Sequence, residues 1–154
     1  MRMIAFLIVA AMGLTGSVEP VSSEEWTETQ EVMVPACEMW VNSFCLPMEF
    51  VTWTRKTLSR ADDIVSDGRS ANREEAIRSM VLSWIWDNEK SLKKGDRKAL
   101  KTACFYFLLF AKHKIVPPLA LRQRFGIDEA IKLARQLVDM TKLAEADKRG
   151  GSER

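Results

Sequence analysis

Histidine, the side chain most often used for acid–base chemistry near neutral pH, occurs only once in this chain, at position 113. His113 is flanked by Lys112 and Lys114, and nothing in the sequence places a nucleophile beside it. Zinc is disfavoured too, because no Cys-x-x-Cys pair supplies the missing ligands. We therefore expect a non-enzymatic protein with no catalytic residues, no bound metal and no cofactor. His113 is predicted to be solvated, in the last turn of a helix.

Glycine and proline are also scarce, with 7 and 5 residues, and several of them fall between periodic segments. This distribution favours helices joined by short turns over a many-stranded β protein. Neither glycine-rich phosphate pattern, G-x-G-x-x-G or G-x-x-x-x-G-K, occurs. The acidic residues Asp62, Asp63 and Asp67 lack the EF-hand spacing with its terminal glutamate, so they predict an ordinary polar loop.

Long apolar runs and an excess of one charge are missing as well. The runs Met3–Leu14 and Ala103–Ala111 are too short to cross a bilayer, which takes roughly 20 apolar residues. The net charge of +2 is far below that expected of a surface that wraps nucleic acid. Hydrophobic residues make up 47% of the 154, enough for one domain with a buried core.

Two interpretations fit residues 1–17. Arg2, the apolar run Met3–Leu14 and the small residues Thr15 and Ser17 follow the pattern of a secretory signal peptide. The alternative is an apolar N-terminal segment buried in the fold. The first predicts a secreted protein from which residues 1–17 have been removed.

The three cysteines form a poor disulfide framework because their number is odd. In a secreted protein, Cys37 and Cys45 are a conceivable pair, leaving Cys104 buried. In an intracellular protein all three are small apolar side chains. The second interpretation is favoured, because Cys104 lies in the most hydrophobic segment.

The rest of the chain divides into an acidic segment at 18–35, interpreted as a linker or a weak helix leading to Pro35, a helical domain at 36–149 and a polar tail at 150–154. The domain is predicted to be an all-α bundle of four to six helices around a buried central helix. Asn72 and Glu75 have the spacing of a capping box at a helix start. Gly95-Asp96 is expected to end that helix and begin the next, and Asp128 to cap the last one.

The central helix is predicted from an apolar pattern that surrounds it on all sides. One side carries Leu100, Ala103, Cys104, Phe107, Leu108 and Ala111, and the others carry Phe105, Tyr106, Leu109 and Phe110. A buried β-strand is the competing interpretation, but the helical spacing from Leu100 onward argues against it. Leu108 is expected to be fully buried.

The preceding helix carries Ile77, Met80, Val81, Trp84 and Ile85 at amphipathic spacing. Trp84 and Trp86 are assigned to the core, since tryptophan buries a large area. Trp26, Trp40 and Trp53 are left open, and some of them are candidates for a docking surface.

From residue 33 onward the chain resembles the FRIGIDA-like family of plant proteins in segment order and scattered residues. The matching positions are Cys37-Glu38-Met39, Leu46, Arg73-Glu74-Glu75-Ala76, Trp84, Ala99-Leu100, Phe107-Leu108-Leu109-Phe110-Ala111, Asp128-Glu129-Ala130, Leu133 and Arg135-Gln136. The resemblance implies a nuclear scaffold that assembles transcriptional regulators controlling flowering. It implies no catalytic residue.

Our first hypothesis is therefore a helical protein-interaction scaffold whose partners are other proteins. The alternative is a secreted helical effector or receptor-binding protein. A weak nucleic-acid binder is a third hypothesis, in which Lys93, Lys94, Arg97 and Lys98 contact phosphates, although a solvated rim is the commoner role of such residues. Arg122 and Arg124 form a second, smaller basic group.

Overall fold

The computed structural model describes residues 23–121 and 126–152, and helices account for most of them. The helices are α1 (Ser23–Phe44), α2 (Glu49–Ser66), α3 (Arg73–Lys94), α4 (Arg97–His113) and α5 (Ile127–Ser152), with a 3₁₀ turn at Leu119–Leu121. These two ranges contain no β-strand. The prediction of an all-α bundle is confirmed, and its five helices lie within the expected four to six.

Helix α4 lies between two helix pairs. On one side α1 packs along α5, and on the other α2 packs along α3; α4 contacts α1, α2 and α3. Nine side chains of α4 are buried: Ala99, Leu100, Ala103, Cys104, Phe105, Tyr106, Phe107, Leu109 and Phe110. The predicted central helix is thus confirmed, and its apolar surface is covered from several directions.

The turns at the two ends of α3 are formed by capping residues that can be recognised in the sequence. The Asn72 side chain accepts a hydrogen bond from the Glu75 N–H at 2.9 Å, as the capping box predicts. Gly95 ends α3 in the left-handed conformation, with φ of 74°, and Asp96 caps α4 by accepting from the Ala99 N–H. A side-chain Cβ at Gly95 would also lie 2.5 Å from Gln136 Nε2 of α5, but that amide is the end of a flexible side chain and can move aside, so the positive φ rather than space favours glycine there.

An ion pair joins α2 and α3 beside the turn that connects them. Both guanidinium nitrogens Nε and NH2 of Arg73 donate to the two carboxylate oxygens of Asp62, each at 2.8 Å. The hydrogen bonds from Arg73 lower the pKa of Asp62. The pair is half exposed, so it fixes the register of the two helices more than it adds stability.

The prediction of an acidic linker at 18–35 is wrong from Ser23 onward, where α1 begins, and the alternative of a helix in this segment is found instead. The helix is stabilised by one apolar face that crosses the supposed linker. Its buried residues are Trp26, Thr29, Met33, Ala36, Cys37 and Trp40. These positions have helical spacing, and the glutamates between them lie on the solvent side. Residues 18–22 and the predicted segment 1–17 lie outside the described part of the chain.

Pro35 lies inside α1 without ending it. Proline has no N–H, so the carbonyl of Glu31 loses its helical partner. Both Pro35 and Glu31 are exposed, which leaves that carbonyl accessible to water. Meanwhile Met33 and Cys37, on either side of the proline, are fully buried and hold both halves of the helix against the core.

Two predicted boundaries of the last helix also need correction. Helix α5 begins at Ile127, so Asp128 lies in the first turn rather than at the cap, where its charge still favours the positive helix end. The helix continues to Ser152 instead of stopping at residue 149, so the predicted polar tail 150–154 is helical through Ser152. Arg122 and Arg124 lie outside the described residues.

Leu108 differs from the prediction in a way that can be tested. It is only partly buried, whereas the adjacent Leu109 has no exposed surface. We expect Leu109→Ala to lower the free energy of unfolding by about 2–5 kcal/mol, since it leaves a cavity in the core. Leu108→Ala should cost clearly less, because its side chain keeps contact with water in the folded state. Urea unfolding followed by circular dichroism compares the two, and equal losses would contradict the assigned helix orientation.

Candidate functional site

A cleft lined by aromatic side chains lies in the described part of the chain and is more enclosed than the groove between α1 and α5. We call it the aromatic cleft; its volume is about 190 Å³. Its walls come from Trp26, Glu28 and Thr29 of α1, Val81, Trp84 and Ile85 of α3, and Ala103, Tyr106, Phe107 and Phe110 of α4. Pro117, Leu121, Gly126 and Ile127, between the end of α4 and the start of α5, also line it. The cleft therefore lies where the two helix pairs meet around α4.

The rings around the cleft form a connected set. Trp26 is stacked on Phe107 at a centroid distance of 6.0 Å and meets Phe110 edge-on at 5.9 Å. Trp84 lies 5.8 Å from Tyr106. Burial raises the pKa of Tyr106 to about 12, which indicates a surrounding of low polarity. The wall is thus apolar and is held in place by the packing of the core itself.

A second, more open groove runs between α1 and α5. Its walls combine apolar and charged side chains: Val32, Pro35, Ala36 and Met39 face Ile131, Ala134 and Val138, with Glu31, Arg135, Asp139 and Lys142 at its edges. Because both signs of charge occur along it, this groove does not select one kind of ligand.

The assignment of Trp86 to the core is wrong. Its side chain is 63% exposed, whereas Trp84 is partly buried and lines the aromatic cleft. Residues two apart on a helix point about 200° apart, so Trp84 and Trp86 lie on opposite sides of α3. Trp26 and Trp40, which the sequence left open, are buried at 6% and 1% exposure. Trp53 is partly buried against Phe105 and Tyr106.

The predicted basic rim is exposed but partly used within the protein. Lys93, Lys94, Arg97 and Lys98 are all exposed. Lys93 pairs with Glu89 at 3.6 Å, and the Arg97 guanidinium lies 4.5 Å from the centre of the Phe44 ring. Because of these contacts, the rim is not a uniformly positive surface. Phosphate binding by the rim stays a prediction.

Cys45, Glu49 and Lys101 form a cluster that joins a thiol, a carboxylate and an amine. Glu49 accepts hydrogen bonds from the Leu46 N–H at 2.7 Å and from Lys101 Nζ at 3.4 Å. Burial, followed by the nearby charge of Glu49, raises the pKa of Cys45 to about 11. A nucleophilic cysteine needs the opposite shift, so this arrangement suppresses the reactive thiolate.

The other two cysteines face each other inside the bundle. Cys37 of α1 and Cys104 of α4 are both buried. Burial and the adjacent Cys104 raise the pKa of Cys37 well above its ordinary value. All three cysteines are free thiols, so the conceivable Cys37–Cys45 bridge is not formed in this structure.

His113 is exposed and is the last residue of α4, as predicted. Within residues 23–121 and 126–152, no three His, Cys, Asp or Glu side chains converge in a manner suited to holding a metal ion. In the same ranges, no helix has the length and apolar content needed to span a bilayer.

Comparison with protein-family models, curated proteins and solved structures finds no match to this chain. The resemblance to FRIGIDA-like proteins therefore stays a prediction.

The Cys45 cluster predicts a specific pattern of thiol reactivity. At about pH 8, alkylation of Cys45 by iodoacetamide should be slow and should accelerate as the pH approaches 11, where the thiolate forms. Glu49→Gln removes a negative charge that raises the pKa, so it should speed the reaction. Lys101→Ala removes a positive charge that lowers the pKa and should slow it. Peptide mass spectrometry measures the rates, and two shifts in the same direction would refute the electrostatic assignment.

Proposed function

We propose that this chain is a non-catalytic protein-interaction scaffold with a docking surface centred on Trp86. The observation that supports this proposal is the 63% exposure of a tryptophan in the middle of an ordered helix. Tryptophan is enriched among the residues that dominate binding energy at protein interfaces. The exposed part of the indole would gain stabilisation if a partner buried it.

The residues beside Trp86 determine the chemistry of the proposed partner. Within two turns of Trp86, the side chains at most about 60° from it around α3 are Ser79, Leu82, Ser83, Glu89, Lys90 and Lys93, given 100° per residue. Leu82 is buried, Ser79 and Glu89 are half-buried, and the other three are exposed. We call Trp86, Ser79, Ser83, Glu89, Lys90 and Lys93 the Trp86 face. Lys93 pairs with Glu89 at 3.6 Å, so the face combines one large apolar anchor with a net positive charge. This combination complements an amphipathic helix that has an apolar stripe and acidic flanks.

On the basis of the FRIGIDA-like resemblance, we further propose that this scaffold acts in the cell nucleus. In that family's implied role, such a scaffold would assemble transcriptional regulators that control flowering. The resemblance of segments such as Phe107–Ala111 is what supports this finer statement. The alternative, a secreted effector or receptor-binding protein, is supported by the signal-like pattern of residues 1–17.

Localisation distinguishes the two versions of the proposal. A fluorescent protein fused after Arg154 should accumulate in the nucleus, and mass spectrometry should recover peptides from residues 1–17 in the mature chain. Export of a product that begins near Val18 would overturn the nuclear scaffold and support the secreted alternative. The fusion is made at the C-terminus because an N-terminal fusion would block the signal under test.

The Trp86 face can be tested with a designed 20-residue peptide, about 30 Å long as a helix, that carries an apolar stripe flanked by glutamates. Fluorescence anisotropy should detect binding that weakens about tenfold on Trp86→Ala and on the double change Lys90→Glu with Lys93→Glu. Higher salt should also weaken it. Lys112→Glu is the matched control, since this exposed lysine lies at the other end of α4 from the Gly95 turn.

The same peptide with lysines in place of glutamates should bind far more weakly, because it repels the two amines. If both peptides bind equally, or if Trp86→Ala leaves binding unchanged, Trp86 is not the anchor of a docking surface.

A further inference from the structure

The size of the aromatic cleft sets the first limit on what it can hold. Apolar cavities of about 150 Å³ in protein cores stay dry and bind benzene or xenon. The cleft is somewhat larger, at about 190 Å³. That volume accommodates a molecule of one aromatic ring with a substituent, or two small fused rings, and excludes a long lipid chain or a sugar chain.

The lining sets the second limit, on polarity. Rings of Trp26, Trp84, Phe107 and Phe110 form much of the wall, and Val81 and Ile85 add aliphatic surface. Aromatic rings pack favourably in stacked or edge-on arrangements at centroid distances of about 4.5–7 Å. The lining already uses both arrangements, with Trp26 stacked on Phe107 and edge-on to Phe110. An inserted flat ring would continue this pattern.

The charged residues at the cleft set the third limit, on the charge of the ligand. Among the described residues, Glu28 contributes to the lining and no lysine, arginine or histidine does. A carboxylate ligand would find no cation among these described lining residues and would lie beside a like charge in a mainly apolar space, which disfavours it. Fatty acids and other organic anions are therefore poor ligands.

We propose that the aromatic cleft is a binding site for a small neutral aromatic molecule of one ring or two fused rings. The site is separate from the proposed Trp86 docking surface, because Trp86 is absent from the cleft lining and points away from it on α3. The ligand would fill the space between the α1 and α3 walls over α4, and its affinity would come from burial of apolar area rather than from hydrogen bonds.

Binding can be tested on the full chain with three probes of similar size. By isothermal titration calorimetry, toluene and indole should bind saturably with one molecule per chain. Benzoate, which carries a negative charge, should bind at least about tenfold more weakly. Absence of saturable toluene and indole binding up to their solubility limits, or equal binding of benzoate, would overturn the proposal.

A matched pair of variants locates the site. Ala103→Leu places a larger side chain inside the cleft and should weaken indole binding about tenfold or more. Ala111→Leu makes the same change two turns further along α4, at a partly exposed position outside the lining, and should leave the affinity unchanged. Circular dichroism and melting curves show whether each variant is folded. Equal affinities in the two folded variants would place the ligand elsewhere.

Methyl NMR of the unmodified chain provides the same information without a mutation. Indole should shift the methyl signals of Val81 and Ile85, which line the cleft, and leave those of Val138 in the α1–α5 groove unchanged. Shifts confined to Val138, or absent from Val81 and Ile85, would also overturn the assignment.

Discussion

Burial of α4 on several sides is the constraint on which the rest of this structure depends. Nine of its side chains are buried, and Leu100 and Leu109 have no exposed surface at all. One neighbouring helix cannot cover such a surface, so the chain supplies two pairs, α1 with α5 and α2 with α3. The small residues Ala103 and Cys104 lie among the large rings of α4 and let neighbouring side chains approach it. Both the tight core and the incompletely filled aromatic cleft follow from this arrangement.

Local features of the fold could be predicted from the sequence because their causes are local. Asn72, Gly95 and Asp96 act within one helical turn of where they stand, and each has the predicted role. The α1 error had a different origin. Helical spacing from Trp26 to Trp40 was present, but the glutamates and Pro35 drew the interpretation toward a linker. Here burial of one face against the other helices outweighs a proline and several charges. The composition of the segment alone does not contain this contribution.

The candidate sites were less predictable than the helices, because they depend on which helix faces which. The aromatic cleft joins residues separated by as much as a hundred positions, from Trp26 to Ile127. No spacing rule connects them. Trp86 is a case in which a simple rule was available: its 200° separation from Trp84 already placed the two tryptophans on opposite sides of α3. Only Trp84 faces the bundle, and Trp86 is largely exposed on the opposite side of α3.

The two proposed sites would influence the protein differently because only one is part of the core. Phe107 and Phe110 both stabilise the bundle and form the wall of the cleft, so a bound ring would add contacts that exist only in the folded state. Such a ligand stabilises folding in proportion to the logarithm of its concentration above Kd. The bound ligand would also bridge the α1 and α3 walls of the cleft above α4. Docking at Trp86 would involve a side chain outside the core, so partner exchange there would require no repacking of α4. A bundle of this kind can thus separate recognition at its surface from control of its stability.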